Sequence, residues 1–413
     1  YSVVTRTESD RGQFYGVVYF YPIRSNSFGD VTVLLSGLLE IDIIPGRPRI
    51  QTRNNGFATQ SVLSQGKILK IPIVETDVYR INFEQLPTEW TSQNFSPDRI
   101  QIFAGHPGHL PYGVGDEKVD DLREVPYMTD GPMTSAGDGV IFYAQGSHVV
   151  DPADENGFMT VRHNVYADTN FYYLRYDAAT GQQMARPGEL SAPPAQGVTT
   201  GSDVWRYEQD NYNILEGILQ GSGRTWYSDA FTGSASKDYT PMIQNLPIDP
   251  DYDVLFSTSF AGRSDFRNTV IYEVGDQRFS RELFPVTMAD RYGVAAQITS
   301  LRERVSFRTP RLTMRHQTQQ SNSRGWVDFV ELAYTKPLAY SNAPLRFFHF
   351  SNQNAFQITN GRSGLVAMEV LDPFNTTLLP FHARQNGFWF QAPPSSDLPR
   401  EFVVFDPKQV RMV

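Results

Sequence analysis

Phe329-Val-Glu-Leu-Ala-Tyr334 puts Val330, Leu332 and Tyr334 on one side of an extended chain, with Phe329 and Glu331 on the other. A period of two marks a half-buried β-strand, because successive side chains of a strand point to opposite faces. The same alternation recurs elsewhere. Val305 and Phe307 alternate with Arg304, Ser306 and Arg308, and Leu312 and Met314 with Arg311, Thr313 and Arg315. Nearer the N-terminus, Tyr79, Ile81 and Phe83 oppose Arg80, Asn82 and Glu84, and Val17, Tyr19 and Tyr21 share a face. Clusters of Gly, Pro, Asn and Asp separate these runs, as expected of short strands joined by turns. No helix of ordinary length is evident; Lys118 to Arg123 is expected to form a helical turn or two. The fold class is therefore all-β, as two or three tandem antiparallel β-sandwich domains with few or no long helices.

Composition agrees with that reading. Of 413 residues, 28 are Phe, 21 Tyr and 5 Trp, with 31 Gly and 27 Pro, a mixture suited to short strands and tight turns. The length allows about two to four domains. We expect an N-terminal β domain over 1–95, a loop-rich β domain over 96–200 and a β-sandwich over 201–413. The Pro-rich run from Arg186 to Gly197 serves as linker, since such residues cannot sustain a ladder. No apolar run is long enough to span a bilayer; Val31 to Leu39 is the best, and Ser36 and Gly37 interrupt it. A chain beginning at Tyr1 is expected to be a mature exported chain or a trimmed one.

The absence of Cys excludes disulfides, thiolate nucleophiles, Cys-ligated zinc and iron–sulfur clusters within these residues. With 36 Lys+Arg against 45 Asp+Glu the net charge is −9, which argues against binding a nucleic-acid backbone or an anionic membrane.

Four segments have residue types that carry chemistry. His106-Pro-Gly-His109, followed by Asp116, Asp120 and Asp121, offers nitrogen and oxygen donors, but Pro-Gly dictates a turn that does not aim both rings. Asp249, Asp251 and Asp253 alternate as in calcium loops, without the Gly and distal Glu of an EF-hand, and read better as a turn; Asp151 to Glu155 is a second acidic turn. Ser147-His148 lacks the Gly-x-Ser-x-Gly frame of a nucleophile elbow, and no Gly-rich phosphate loop is present. Paired carboxylates for glycoside hydrolysis are an undemanding criterion in so acidic a chain. The fourth segment, Gly221 to Phe231, combines a flexible hinge with Arg224, Trp226 and Tyr227. These three could recognise a carboxylate or sugar, or could simply anchor the first strand of a sandwich. No catalytic residue, cofactor or metal ligand is assigned.

An ordered series of motifs resembles the N-terminal region of the PorU family, the gingipain-related C-terminal signal peptidase/sortases of the type IX secretion system of Bacteroidetes. The series runs through Arg99 to Pro111, Asp120 to Pro126, Gly137 to Gly146, His163 to Asp168 and Phe171 to Leu174. It continues through Tyr207 to Asn213, Gly223 to Phe231, Gly325 to Tyr334 with Leu338, and Arg400 to Phe405. Residues 1 to 70 match only in being β-rich. The resemblance implies a parent cysteine peptidase that removes cargo C-terminal signals and attaches cargo to anionic lipopolysaccharide. Its His-Gly motif and nucleophilic Cys would belong to a peptidase domain expected after Val413, so no catalytic residue transfers to a numbered position here. It further implies a location at the outer-membrane surface, on the barrel protein PorV and with PorQ and PorZ. Its own peptidase domain and secreted cargo C-terminal domains would be further partners. These residues would then form an inert docking and positioning scaffold. The alternative is a surface carbohydrate-binding sandwich protein, which would display Trp226, Trp326 and Trp389 in an exposed row.

Overall fold

The computed structural model describes residues 2–10, 13–25, 31–36, 58–91, 95–110, 119–151, 159–177, 179–186, 197–213, 225–290, 293–384, 387–395 and 399–413. They fall into two compact units, Tyr1–Phe57 and Ala58–Val413. In the first, Ser2–Asp10 pairs antiparallel with Gln13–Tyr21 along its whole length, and Ile23–Ser25 pairs with Val31–Val33. The all-β reading holds. The one α-helix among the described residues is the single turn Thr240–Ile243.

The second unit is organised by a nine-stranded antiparallel sheet whose long central strand, Arg324–Pro337, contains the quoted alternating stretch. Thr200–Glu208 and Val254–Arg263 flank it on either side. One face of this sheet is covered by two smaller sheets. Val330, Leu332 and Tyr334 pack with Phe256, Tyr272 and Met314 beneath a four-stranded sheet. Further along, Phe347, Phe402 and Val404 pack with Phe356 and Phe390 of a three-stranded sheet. Aromatic side chains dominate this second core; the Phe356 ring lies 5.0 Å from Phe390 and 4.6 Å from Phe402.

The opposite face is covered as well. A sandwich of two four-stranded sheets encloses Ile71, Ile102, Val140, Phe142, Tyr172 and Leu174. One of its sheets joins Asp77–Asn82 to Gly139–Ala144 and accepts Arg411–Met412 as a parallel edge strand. Val78, Ile141 and Tyr143, on the outer face of that sheet, pack against Met368, Val403 and Phe405 of the nine-stranded sheet. The nine-stranded sheet is thus a middle layer.

The helical turn expected from Lys118 to Arg123 is not formed in the described part. Arg123–Val125 is a strand pairing with Ile100–Ala104, and Asp121 has a φ of 61°, outside the right-handed helical region. The physical reason is tertiary. Asp121 accepts hydrogen bonds from Ser61 Oγ and the Val62 N–H at 2.7 and 2.6 Å, an arrangement that replaces helical bonding.

Truncating Phe356, which is fully buried at the centre of the aromatic core, removes contacts on several sides. Phe356→Ala is expected to lower the unfolding free energy by about 3–5 kcal/mol. Chemical denaturation would check this, and a loss below 1 kcal/mol would show that the core is not closed there.

Candidate functional site: a charged joint beneath the central sheet

Strand alternation puts Arg206 and Glu208 on one face of Thr200–Glu208, opposite Trp205 and Tyr207, which join the apolar core. Glu331, on the neighbouring strand and paired in register with Arg206, projects to the same side. The sequence pattern makes this the solvent face. A short hairpin, Val149–Asp151 paired with Thr160–Arg162, covers it instead. Met159 and Val150 of that hairpin pack on Leu255, Ala333 and Phe348 of the sheet.

Glu331 is only 2% exposed, and each carboxylate oxygen is used. Oε1 accepts from Thr160 Oγ1 at 2.7 Å; Oε2 accepts from the Val161 N–H at 2.8 Å and Arg206 Nη1 at 2.9 Å. Arg206 also donates from Nε to Glu208 Oε2 at 2.5 Å and lies 3.7 Å above the Phe329 ring. The hairpin is therefore pinned to the sheet through one carboxylate, which the Arg206 guanidinium holds from the sheet side.

The chain leaving the hairpin adds imidazoles. His163 Nδ1 stands 3.6 Å from Glu208 Oε2, and its Nε2 3.3 Å from Asp210 Oδ2. His148 stacks on His163 with ring centres 4.2 Å apart and planes 15° from parallel, while its Nδ1 accepts from the Asn164 N–H. Burial, and then the neighbouring His163 ring, hold the His148 pKa below its usual value. Asp328, on the same central strand, is pushed up to about 6, first by burial and then by the Glu208 carboxylate, against the opposing pull of Arg206.

The sequence-selected residues distribute unevenly around this joint. His109 donates from Nε2 to the His163 carbonyl at 2.7 Å, so the His-Pro-Gly-His turn buttresses the joint. Gly108 is required there, with φ of +69° and no room for a Cβ, which would lie 2.4 Å from Val149 Cγ2. His106 hydrogen-bonds the adjacent Pro107 carbonyl, and Asp120 receives the Ala58 N–H. Asp116 lies outside the described residues. The two histidines and the described aspartates of that segment therefore do not converge. Asp249, Asp251 and Asp253 form a turn in which Asp249 Oδ1 accepts the Asp251 N–H.

Arg224 lies outside the described residues. Trp226 is half-buried, and Tyr227 is buried beside Trp326 and Ala261. Burial, and then Asp328, push the Tyr227 hydroxyl up to about 12. Tyr227 and Tyr212 exchange backbone hydrogen bonds, and Ser228 Oγ accepts the Gln209 N–H while donating to the Asp328 carbonyl. This segment thereby anchors the 209–212 loop that presents Asp210. Trp326 and Trp389 are buried, at 9% and 4% exposure, so Trp226, Trp326 and Trp389 do not form an exposed row.

A second candidate is an open cleft of about 280 Å³ lined by Tyr252, Phe348, His349, Phe350 and Ser351. His349 Nε2 meets Ser351 Oγ at 2.7 Å, but that oxygen also accepts the Gln353 N–H, as in a tight turn.

Neither a protein-family model nor a curated protein matches the chain. Among solved structures, dimeric latent PorU from Porphyromonas gingivalis superposes with a TM-score of 0.69 at 20% identity, over 88% of this chain and 34% of that one. The chain has the PorU fold. It spans about a third of the length of that PorU chain. The insecticidal δ-endotoxin Cry8Ea1 of Bacillus thuringiensis has a TM-score of 0.18 at 10% identity, over 68% of this chain and 55% of its own. The VP2 subviral particle of infectious bursal disease virus has 0.16 at 9%, over 85% and 82%. Segments that resemble the PorU family in sequence, around His163, Tyr207 to Asn213, Trp226 to Phe231 and Gly325 to Tyr334, meet at the charged joint.

Two measurements test the joint. Glu331→Ala leaves the Thr160 hydroxyl, the Val161 N–H and Arg206 Nη1 without their acceptor, and should cost about 3–5 kcal/mol. Hydrogen exchange should show lost protection at the Val161 amide; retained protection would mean that Glu331 does not pin the hairpin. Asp328 has a folded-state pKa of about 6 against its usual 3.8, so it is neutral in effect near pH 3, opposes folding increasingly as pH rises from 3.8, and reaches its full effect above about 6. Asp328→Asn should therefore gain stability relative to wild type from pH 4 to 7, reaching on the order of 2 kcal/mol. A pH-independent difference would show the carboxyl is not perturbed.

Proposed function

We propose that this chain is the non-catalytic N-terminal region of a PorU-type protein of the type IX secretion system, acting as a docking and positioning scaffold. The observation that carries this reading is the superposition on PorU over 88% of the chain. The ordered sequence motifs support it as well, because they fall on strands and turns of both the first sandwich and the nine-stranded sheet.

The physics of the fold suits the role. Sheets pack on both faces of the nine-stranded sheet and are fixed by polar contacts, including the part-buried Arg346–Glu401 pair, where Glu401 Oε1 accepts from the Tyr143 hydroxyl at 2.7 Å and from Arg346 Nε at 2.6 Å. Such a body holds surfaces at fixed separations, as a docking platform must. In this reading the scaffold sits at the outer-membrane surface against PorV, with PorQ and PorZ in the larger complex. It also orients a peptidase domain that acts on cargo C-terminal signals and joins cargo to anionic lipopolysaccharide. The described residues contain no helix long and apolar enough to cross a membrane, which fits attachment through a protein partner. Burial of Trp326 and Trp389 removes the aromatic row on which the carbohydrate-binding alternative depends.

Immobilised chain should retain detergent-solubilised PorV and show no cleavage or ligation of a peptide bearing a cargo C-terminal signal. Failure to retain either PorV or a PorU peptidase domain removes the docking role. Turnover by the isolated chain would remove the assignment as a non-catalytic region.

A further inference from the structure

We propose that His163, Glu208 and Asp210 bind one divalent cation of the zinc class, clipping the covering hairpin to the central sheet. This goes beyond the scaffold reading and does not depend on it. Among the described residues these three form the one group of at least three His, Asp or Glu donors lying within 4.8 Å of one another. One donor atom from each residue lies within 4.8 Å of the other two, and a tetrahedral ion with 2.0–2.1 Å bonds sets its donors about 3.3–3.4 Å apart, so a small side-chain adjustment completes the set around one nitrogen of His163. One imidazole with two carboxylates is a borderline donor set, suited to zinc and its neighbours rather than to a cage for calcium.

The donors are held in place before any ion arrives. His148 stacks on the His163 ring, and His109 hydrogen-bonds its backbone carbonyl. Arg206 fixes Glu208 through Oε2, leaving the other carboxylate oxygen without a partner among the described residues. Asp210 sits on the loop braced by Tyr227 and Ser228. His163 and Glu208 side chains are 12% and 10% exposed and Asp210 is 33% exposed, giving a site closed on the protein side and open to water on the other.

Charge supplies an independent argument. Glu208, Asp210, Asp328 and Glu331 gather four carboxylates, whereas Arg206 is the one Lys or Arg paired with them among the described residues. Buried carboxylates are normally paired or metal-bound, and this group is short of positive charge. A divalent ion between His163, Glu208 and Asp210 removes most of the imbalance where the carboxylates crowd. It also ties residue 163, just after the hairpin, to the end of Thr200–Glu208.

The test uses the full, tag-free chain stripped with EDTA and titrated with ZnCl2 by calorimetry at pH 7.5. One equivalent should bind, and saturating Zn2+ should raise the melting temperature by a few degrees. Asp210→Asn should keep a cooperative melt without zinc yet bind it about tenfold or more weakly. His163→Gln should abolish both binding and the thermal shift, whereas His106→Gln should retain them. Absence of one-equivalent binding would overturn the site and leave His163 as an imidazole held between two carboxylates. Binding undiminished by Asp210→Asn, or lost in His106→Gln, would likewise overturn it by placing the ion elsewhere.

Discussion

A carboxylate placed in the middle of a sheet and then covered costs several kcal/mol unless its oxygens are satisfied. Glu331 meets that requirement with a hydroxyl, an amide N–H and a guanidinium, and the arrangement of the second unit follows from it. The hydroxyl and the amide both come from the hairpin strand Thr160–Arg162, so the charge is satisfied only when the hairpin is seated. Seating the hairpin buries Met159 against Leu255, Ala333 and Phe348, which gives the docking an apolar contribution as well as a polar register. Hydrophobic burial is non-directional, whereas three hydrogen bonds to one carboxylate fix which residue lies over which. The joint thus combines adhesion from one set of residues with registry from another.

The same division recurs where the first sandwich meets the far end of the nine-stranded sheet. Met368, Val403 and Phe405 supply apolar area against Val78, Ile141 and Tyr143, and the Tyr143 hydroxyl reaches through that layer to Glu401, already held by Arg346. Burial pushes the Tyr143 hydroxyl pKa well above its ordinary value, so it acts there as a neutral donor. The edge of the sandwich is treated similarly. Arg80, buried within its own sheet, donates to Asp130 at 2.6 Å and to the Pro407 carbonyl at 2.9 Å, while the Val413 N–H donates to the Arg80 carbonyl. Residues 407–413 are thereby held along the outer strand of the first sandwich.

Strand character was legible wherever one face is apolar. Val330, Leu332 and Tyr334 do face a core, and so do Leu312 and Met314. What alternation could not reveal is whether the polar face meets water or another layer. Arg80, Glu331 and Arg206 occupy the alternation of solvent-facing residues, yet the first two are buried and the third is nearly so. Their burial depends on elements distant in sequence, and period-two patterning is blind to partners beyond its own strand. A faint signal did exist. Arg206 and Glu208 stand at alternate positions of one strand with Asp210 just beyond its end, and a mixed-sign row of that kind is suited to pairing. The histidine of the joint was harder to find, because His163 lies in a short connection without periodicity, and its partners are 45 and 47 residues away in the chain.

The aromatic content points the same way as the charges. Trp226, Tyr227 and Trp326 look in sequence like a recognition platform, since each has a flat face and a polar tip. In the fold, Tyr227 and Trp326 pack 6.4 Å apart around Ala261, and the backbone of Tyr227 is committed to Tyr212. A ring whose face is covered by protein has no face left for a sugar, so its contribution is rigidity. That rigidity is spent on the loop bearing Asp210, beside the carboxylates of Glu208, Asp328 and Glu331. Aromatic anchoring of a charged loop has a definite consequence. The carboxylates are held near one another, so a proton or a cation brought to them lowers their repulsion without a rearrangement of the backbone.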